Sequence, residues 1–160
     1  MKKTKKDLKK EVRQYKKLAY IDDLTQLYNR RKLNIDMDRL IYEKERYKAR
    51  FSLVMIDING FKKINDKEGH LFGDDILKKL ARELKKYIRK SDRIYRYGGD
   101  EFIILLPHTT VKNCKKLARR VKEKIGIPIS FGVAKGIKNK KEILSLSDKQ
   151  LYNMKRKEGK

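Results

Sequence analysis

The chain has 160 residues, enough for one domain with a real hydrophobic core. Lys and Arg number 45 against 21 Asp and Glu, giving a formal charge of +24, with 41% charged and 39% hydrophobic residues. That balance admits nucleic acid, an anionic surface or a polyanionic small ligand as partner, and equally a plain solvated surface. It leaves little else: the single cysteine, Cys114, excludes an internal disulfide and fits a reducing cytoplasm, no secretory leader is recognisable, and no apolar run approaches the roughly 20 residues of a membrane span.

Residues 1–19 are polar and basic, with Leu8, Val12, Tyr15 and Ala19 recurring at helical steps. So narrow a seam reads as the end of a coiled-coil stalk or as a helix lying on the domain. A nucleic-acid arm is not expected, because the aromatic interleaving of single-strand binders is missing. Asp22, Asp23 and Thr25 can cap a helix start. The helix that follows, about 30–48, has Leu33, Met37, Leu40, Ile41 and Tyr47 on its apolar face.

Residues 51–59 form the strongest buried strand, an apolar run that meets Asp57 at its end. An acid there is costly unless amides satisfy it or a metal binds it. Next come Lys62, Asn65, the pair Gly69-His70 and the pair Gly73-Asp74. Asp74 is a natural N-cap for an amphipathic helix over 74–89, and Asn65, His70 and Asp74 outline a polar pocket at that helix entrance with Lys62 beside it.

The central stretch is Arg96-Tyr97-Gly98-Gly99-Asp100-Glu101-Phe102. It separates an alternating strand at 93–97 from an apolar strand at 102–106 that Pro107 ends. Gly98 and Gly99 predict a tight hairpin with positive φ, presenting Asp100 and Glu101 at its tip. A helix over 110–124 holds Cys114 inward as a packing residue, a strand covers 127–134, and a last helix covers 140–157. The order predicts a βαββαβ palm-like α+β fold of the ferredoxin-like kind. Its sheet is mainly antiparallel under one helix layer, with an added N-terminal helix.

In such a palm the first strand neighbours the hairpin, so Asp57 and Asp100 lie side by side. Acids held together repel, and a divalent cation relieves the strain. All-oxygen donors suit Mg2+ or Mn2+, which points to metal-dependent nucleotide chemistry, with Lys62 and Lys155 balancing a triphosphate. No phosphate-binding loop of the Gly-x-x-x-x-Gly-Lys type is present.

Arg96 to Phe102 resembles the signature of GGDEF-domain diguanylate cyclases. Asp23-Leu24-Thr25-Gln26-Leu27-Tyr28-Asn29-Arg30-Arg31, Asp57-Ile58-Asn59, Phe61-Lys62, Asn65-Asp66, Gly69-His70 and Gly73-Asp74 follow the same family's motifs in order. The resemblance covers about 20–155, and makes 20–160 the expected catalytic domain. It implies condensation of two GTP into cyclic di-GMP with release of pyrophosphate by an antiparallel homodimer of half-sites. Asp57, the Ile58 carbonyl, Asp100 and Glu101 would be metal ligands, and Asp100 the candidate base. Lys62, Asn65, His70, Asp74, Gly98, Gly99 and Lys155 would meet the substrate. Asp74 favours GTP over ATP, since it accepts from guanine N1–H and N2–H2. Arg89-Lys90-Ser91-Asp92 resembles the family's inhibitory product site, with Arg120 as a second arginine.

The chain departs from the family in three places. Asn59 stands where a second acid is usual, the span 124–129 is too short for the usual hairpin, and Lys155 to Gly159 is one residue longer. The resemblance also implies a sensory domain upstream, or else a stand-alone cyclase. A catalytically silent domain that senses GTP or cyclic di-GMP is the alternative, and intact Asp57, Asp100 and Glu101 argue against it.

Overall fold

The computed structural model describes residues 4–159. Helix α1 (Lys5–Tyr20) opens on a capping box: Thr4 Oγ accepts from the Asp7 amide, and the Asp7 carboxylate accepts from the Thr4 amide at 3.0 Å. None of its residues is buried: Leu8, Val12 and Tyr15 of the expected seam are exposed, and Ala19 is half-buried. A short strand β1 (Tyr28–Asn29) follows, which sequence patterning cannot show at two residues. Asn29 then caps helix α2 (Arg30–Tyr47) through the Lys32 amide. Asp22, expected as a helix cap, instead accepts from the Thr25 amide and hydroxyl, closing the turn between α1 and β1. Tyr47, expected on the apolar face of α2, is exposed.

Strand β2 (Phe51–Ile58) is buried along its whole length. It lies between β4 (Glu101–Pro107) and β5 (Ile129–Lys135), antiparallel to both. The five-stranded order is β1-β3-β4-β2-β5, with β3 (Arg93–Arg96) antiparallel to β4 and β1 parallel to β3. Helices α3 (Phe61–Glu68) and α4 (His70–Lys85) follow β2, α5 (Val111–Lys124) precedes β5, and α6 (Lys140–Lys157) ends the chain.

Helices cover both faces of the sheet, not one. Val54, Ile56 and Ile58 pack on Leu77, Leu80 and Leu84 of α4 and on Cys114, Ala118 and Val121 of α5. Leu53 and Met55 pack on Leu33, Met37 and Leu40 of α2 and on Ile143 and Leu151 of α6. The cause is in the strand itself: with apolar residues at consecutive positions, the period of two sends half of them to each side, and each side must then be covered. Truncating a fully buried residue such as Leu53 to Ala would cost about 2–5 kcal/mol. Cys114 is a packing residue as expected: its Sγ lies 3.6 Å from the Leu53 carbonyl, and burial pushes its thiol up to about 12.

The span 61–89 is built differently from its expectation. Phe61–Glu68 is a helix where the sequence reading assigned no element, and α4 begins at His70, directly after Gly69, and ends at Lys85. Asp74 therefore sits in the second turn of α4, where the backbone amides are already engaged, and does not cap it.

Candidate functional site

Two ends of the sheet gather charge. At one end, β2 delivers Asp57 and β4 delivers Glu101 as a directly opposed cross-strand pair. Both side chains share the face that carries Leu53, Met55, Ile103 and Leu105, beneath α6. Asp100 precedes Glu101 at the turn, and Ile58 ends β2 with its side chain buried. Burial, followed by the Asp100 charge, raises the Asp57 carboxyl despite the opposing pull of Lys155. Glu101 is raised by burial and by the charges of Asp57 and Asp100. Asp148 on α6, which the sequence reading does not single out, adds to both.

The hairpin tip is not the turn that two glycines suggest. Neither Gly98 nor Gly99 has a positive φ. The loop spans Tyr97 to Asp100 and is closed by the Tyr97 amide on the Glu101 carbonyl at 2.8 Å. Gly98 is small for a different reason: a Cβ there would come within 2.5 Å of Glu101 Oε2. Space around Gly99 is open. Arg96 holds this loop. Its Nε and Nη2 donate to the Gly99 carbonyl at 3.1 and 2.9 Å, while Nη1 reaches Asp22 at 3.3 Å. The Arg30 guanidinium covers the Tyr97 ring at 4.5 Å. Sequence reading missed Arg96 because its partner Asp22 lies 74 residues away.

Lys155 Nζ lies 2.6 Å from Asp57 Oδ1. The ammonium is the one contact of that oxygen: Asp57 Oδ1 is buried and has no further hydrogen-bond partner among the described residues. A buried carboxylate oxygen met only by a lysine ammonium, beside repelling acids, fits a divalent cation. Among the described residues, no three His, Cys, Asp or Glu side chains close into a ready-made cage. Any cation would therefore draw on backbone and nucleotide oxygens too.

Asn65 on α3 lies over Gly73 on α4. A Cβ at Gly73 would fall 1.9 Å from Asn65 Oδ1, and that oxygen is buried without a hydrogen-bond partner. Asp74 is the next residue and is half-buried. The two helices thus present an unmatched acceptor beside a carboxylate, which suits a base with two adjacent N–H donors. Lys62 on α3 and His70 on α4 are exposed.

At the other end, the start of β3 and the end of β4 border a cavity of about 380 Å³. Arg89, Asp92 and Arg120 all line it, together with Tyr87, His108 and Lys116. Buried Asp92 accepts from the Arg89 amide at 2.9 Å and from Ser91 Oγ at 3.2 Å. Arg120 donates to the Tyr87 carbonyl at 3.2 Å. His108 and Lys116 could not be foreseen, since they come from the loop after β4 and from α5.

A family profile described as "Diguanylate cyclase, GGDEF domain" matches residues 19–160. Diguanylate cyclase VdcA of Vibrio cholerae is 34% identical over 165 residues, covering 92% of this chain and 48% of that protein. Response regulator PleD of Caulobacter vibrioides is 38% identical over 120 residues, 74% of this chain and 26% of its own. The chain thus spans less than half the length of these relatives. The crystal structure of the coiled coil and GGDEF domain of DgcB from Caulobacter crescentus, in complex with c-di-GMP, superposes with a TM-score of 0.86 at 25% identity, covering 94% of this chain and 88% of that one. Diguanylate cyclase SiaD of Pseudomonas aeruginosa, in complex with its activator SiaC, gives 0.83 at 28% identity, covering 95% and 64%. Among the described residues no helix is long and apolar enough to cross a membrane.

Proposed function

The chain belongs to the GGDEF-domain family of diguanylate cyclases, and from that premise we propose that it condenses two GTP into cyclic di-GMP with release of two pyrophosphates. The observation that carries the proposal is the placement of Glu101 opposite Asp57, next to Asp100, with Lys155 at 2.6 Å from Asp57.

Asp57, the Ile58 carbonyl, Asp100 and Glu101 would hold a divalent cation, Mg2+ or Mn2+. When bound, such a cation offsets charge on the triphosphate and on the departing pyrophosphate. Asp100 takes the proton of a 3′-hydroxyl. The freed oxygen bonds to the α-phosphorus of the second GTP, and the bond from that phosphorus to pyrophosphate breaks. The same exchange in the other direction closes the ring, so two phosphodiester bonds form and two pyrophosphates leave. Asn65 and Asp74 read the guanine edge, an adenine lacking the N1–H and N2–H2 donors that Asp74 needs. His70 lies along the substrate, the open space at Gly99 admits phosphate, and Lys62 and Lys155 balance its charge. Each protomer supplies one GTP, so the working form is an antiparallel homodimer. A reaction fed by GTP places it in the cytoplasm. The cavity of Arg89, Asp92 and Arg120 binds the product and restrains the enzyme, arginine forks being suited to the guanine Hoogsteen edge and to phosphate.

The test is purified protein with GTP and Mg2+ or Mn2+, nucleotides being resolved by chromatography across protein concentrations. Cyclic di-GMP forming with a rate that rises faster than protein concentration supports the reading. No cyclic dinucleotide at any concentration that yields dimer overturns it, and binding of GTP without turnover would then mark a sensor.

A further inference from the structure

The last turn of α6 is fastened on both sides of Lys155. Before it, Met154 Sδ lies 3.3 Å from the Phe131 amide and 3.7 Å from Lys122 Nζ. After it, Glu158 forms an ion pair with Lys122 of α5, and its Oε2 comes within 3.4 Å of Ser130 Oγ. Ser130 donates at 2.7 Å to Oδ1 of Asn59, two residues beyond Asp57. The network therefore ties the end of α6 to the strand ends that carry the acidic site. The extra residue between Lys155 and Gly159 puts Glu158 at the helix C-cap, within reach of both α5 and β5.

The Asp57–Lys155 contact is a short ion pair with little else to hold it. Besides the ammonium, buried Asp57 Oδ1 has no hydrogen-bond partner among the described residues, and the lysine side chain is 29% exposed. A buried pair made to last satisfies its remaining donors and acceptors, and this one does not. A lysine ammonium is a compact charge on a flexible stem, well suited to changing partners.

We propose that Lys155 is a resident cation of the acidic site, neutralising Asp57 while no divalent cation is bound and released to phosphate when one arrives, with Glu158 as the positioning residue that holds it there. The exchange rests on the metal-binding part of the proposed function. Its consequence is that lysine and metal compete: the free enzyme binds a divalent cation weakly, and a metal–nucleotide complex binds well because it gives the displaced ammonium a new partner.

Mn2+ alone tests this, with no nucleotide present, by following free Mn2+ in electron paramagnetic resonance as the full chain is titrated. Lys155→Gln should bind Mn2+ about tenfold more tightly than the parent, one positive charge having been removed beside the ligand. Lys155→Arg, which keeps the charge, should stay weak. Glu158→Gln should tighten binding by a smaller factor, about threefold, with Lys155 intact. Circular dichroism melting reports folding, and Lys155→Met stands in if the Gln variant does not fold. The proposal is overturned if removing the Lys155 charge leaves Mn2+ affinity unchanged or weaker, if no form binds Mn2+, or if the gain survives in the Asp57→Asn/Lys155→Gln double variant. No GTP enters the assay, so a failure here in a protein that still makes cyclic di-GMP sinks the exchange alone. Lack of product with the predicted Mn2+ series sinks the cyclase reading alone.

Discussion

The two ends of the β3–β4 hairpin are opposite in sign and differ in how they are balanced. The turn end gathers Asp57, Asp100 and Glu101, with burial and mutual repulsion raising two of the three carboxyls. The other end, about 20 Å away along a seven-residue strand, lines its cavity with Arg89, Arg120, Lys116 and His108. Its one acid, Asp92, is fully engaged by the Arg89 amide and Ser91, so it orders the loop rather than neutralising the guanidinium groups. The acidic end has found an internal counter-charge in Lys155, whereas the Arg89 guanidinium has no partner among the described residues. An anion therefore has an obvious place at the basic end, and a cation must displace a lysine at the acidic end.

The largest break in this comparison is Asp100→Asn. Removing the proposed base, and one charge of the cation site, should lower the rate of cyclic di-GMP formation at least about a thousandfold while leaving the melting temperature near that of the parent. A loss under tenfold would remove Asp100 from the chemistry. At the basic end, Arg89→Ala should leave the initial rate unchanged and weaken product binding about 10- to 100-fold, with product accumulating further before synthesis stalls. Calorimetry with cyclic di-GMP checks it, and unchanged affinity would empty the cavity of its proposed role.

A smaller effect separates base recognition from folding. Gly73→Ala pushes a methyl group into Asn65 Oδ1, the far end of a side chain that can turn away. Ala also favours a helix interior by up to about 1 kcal/mol over Gly, so stability should change little. The KM for GTP should rise about tenfold, because Asn65 is driven from its place beside Asp74. A fall in stability with KM intact would reduce Gly73 to a packing residue.

Much of this was readable from the residues, and what was not has a physical cause. Eight consecutive buried positions made β2 plain, and Asp57 at its end stood out because nothing apolar explains it. The same run held the evidence for helices on both faces, since a strand with Leu53 and Met55 on one side and Val54, Ile56 and Ile58 on the other needs cover on each. The register was beyond reach: Glu101, not Asp100, is the residue opposite Asp57, because four loop residues separate β3 from β4 and the glycines do not form the expected turn. Helix α3 was hidden by its eight-residue length and by an N-cap, Gly60, that makes no side-chain hydrogen bond. Asp22–Arg96 and Asp57–Lys155 are pairs far apart in the chain, in a sequence where any acid has many candidate cations.

The subtlest difference between the ends is in pH dependence. Asp57 and Glu101 have folded-state values raised above 3.8 and 4.5. Over the interval between those ordinary values and the raised ones, the folded chain holds more protons than the unfolded one. Their contribution is therefore fully favourable at low pH and is lost as pH rises through the folded values. Asp22 runs the other way. Burial is the largest single influence and opposes its ionisation, but the Thr25 hydrogen bonds and Arg96 together outweigh it and lower the carboxyl. Its stabilisation is present above 3.8 and disappears as pH falls through the lowered value. Urea midpoints of the metal-free protein across the acidic range should show both slopes in the parent. Asp57→Asn should make the upper one shallower, leaving the part that buried Glu101 contributes, and Asp22→Asn should flatten the lower one alone. If Asp57→Asn left the upper slope unchanged, Asp57 would not be one of the raised carboxyls, and the electrostatic contrast between the two ends would rest on Glu101 alone.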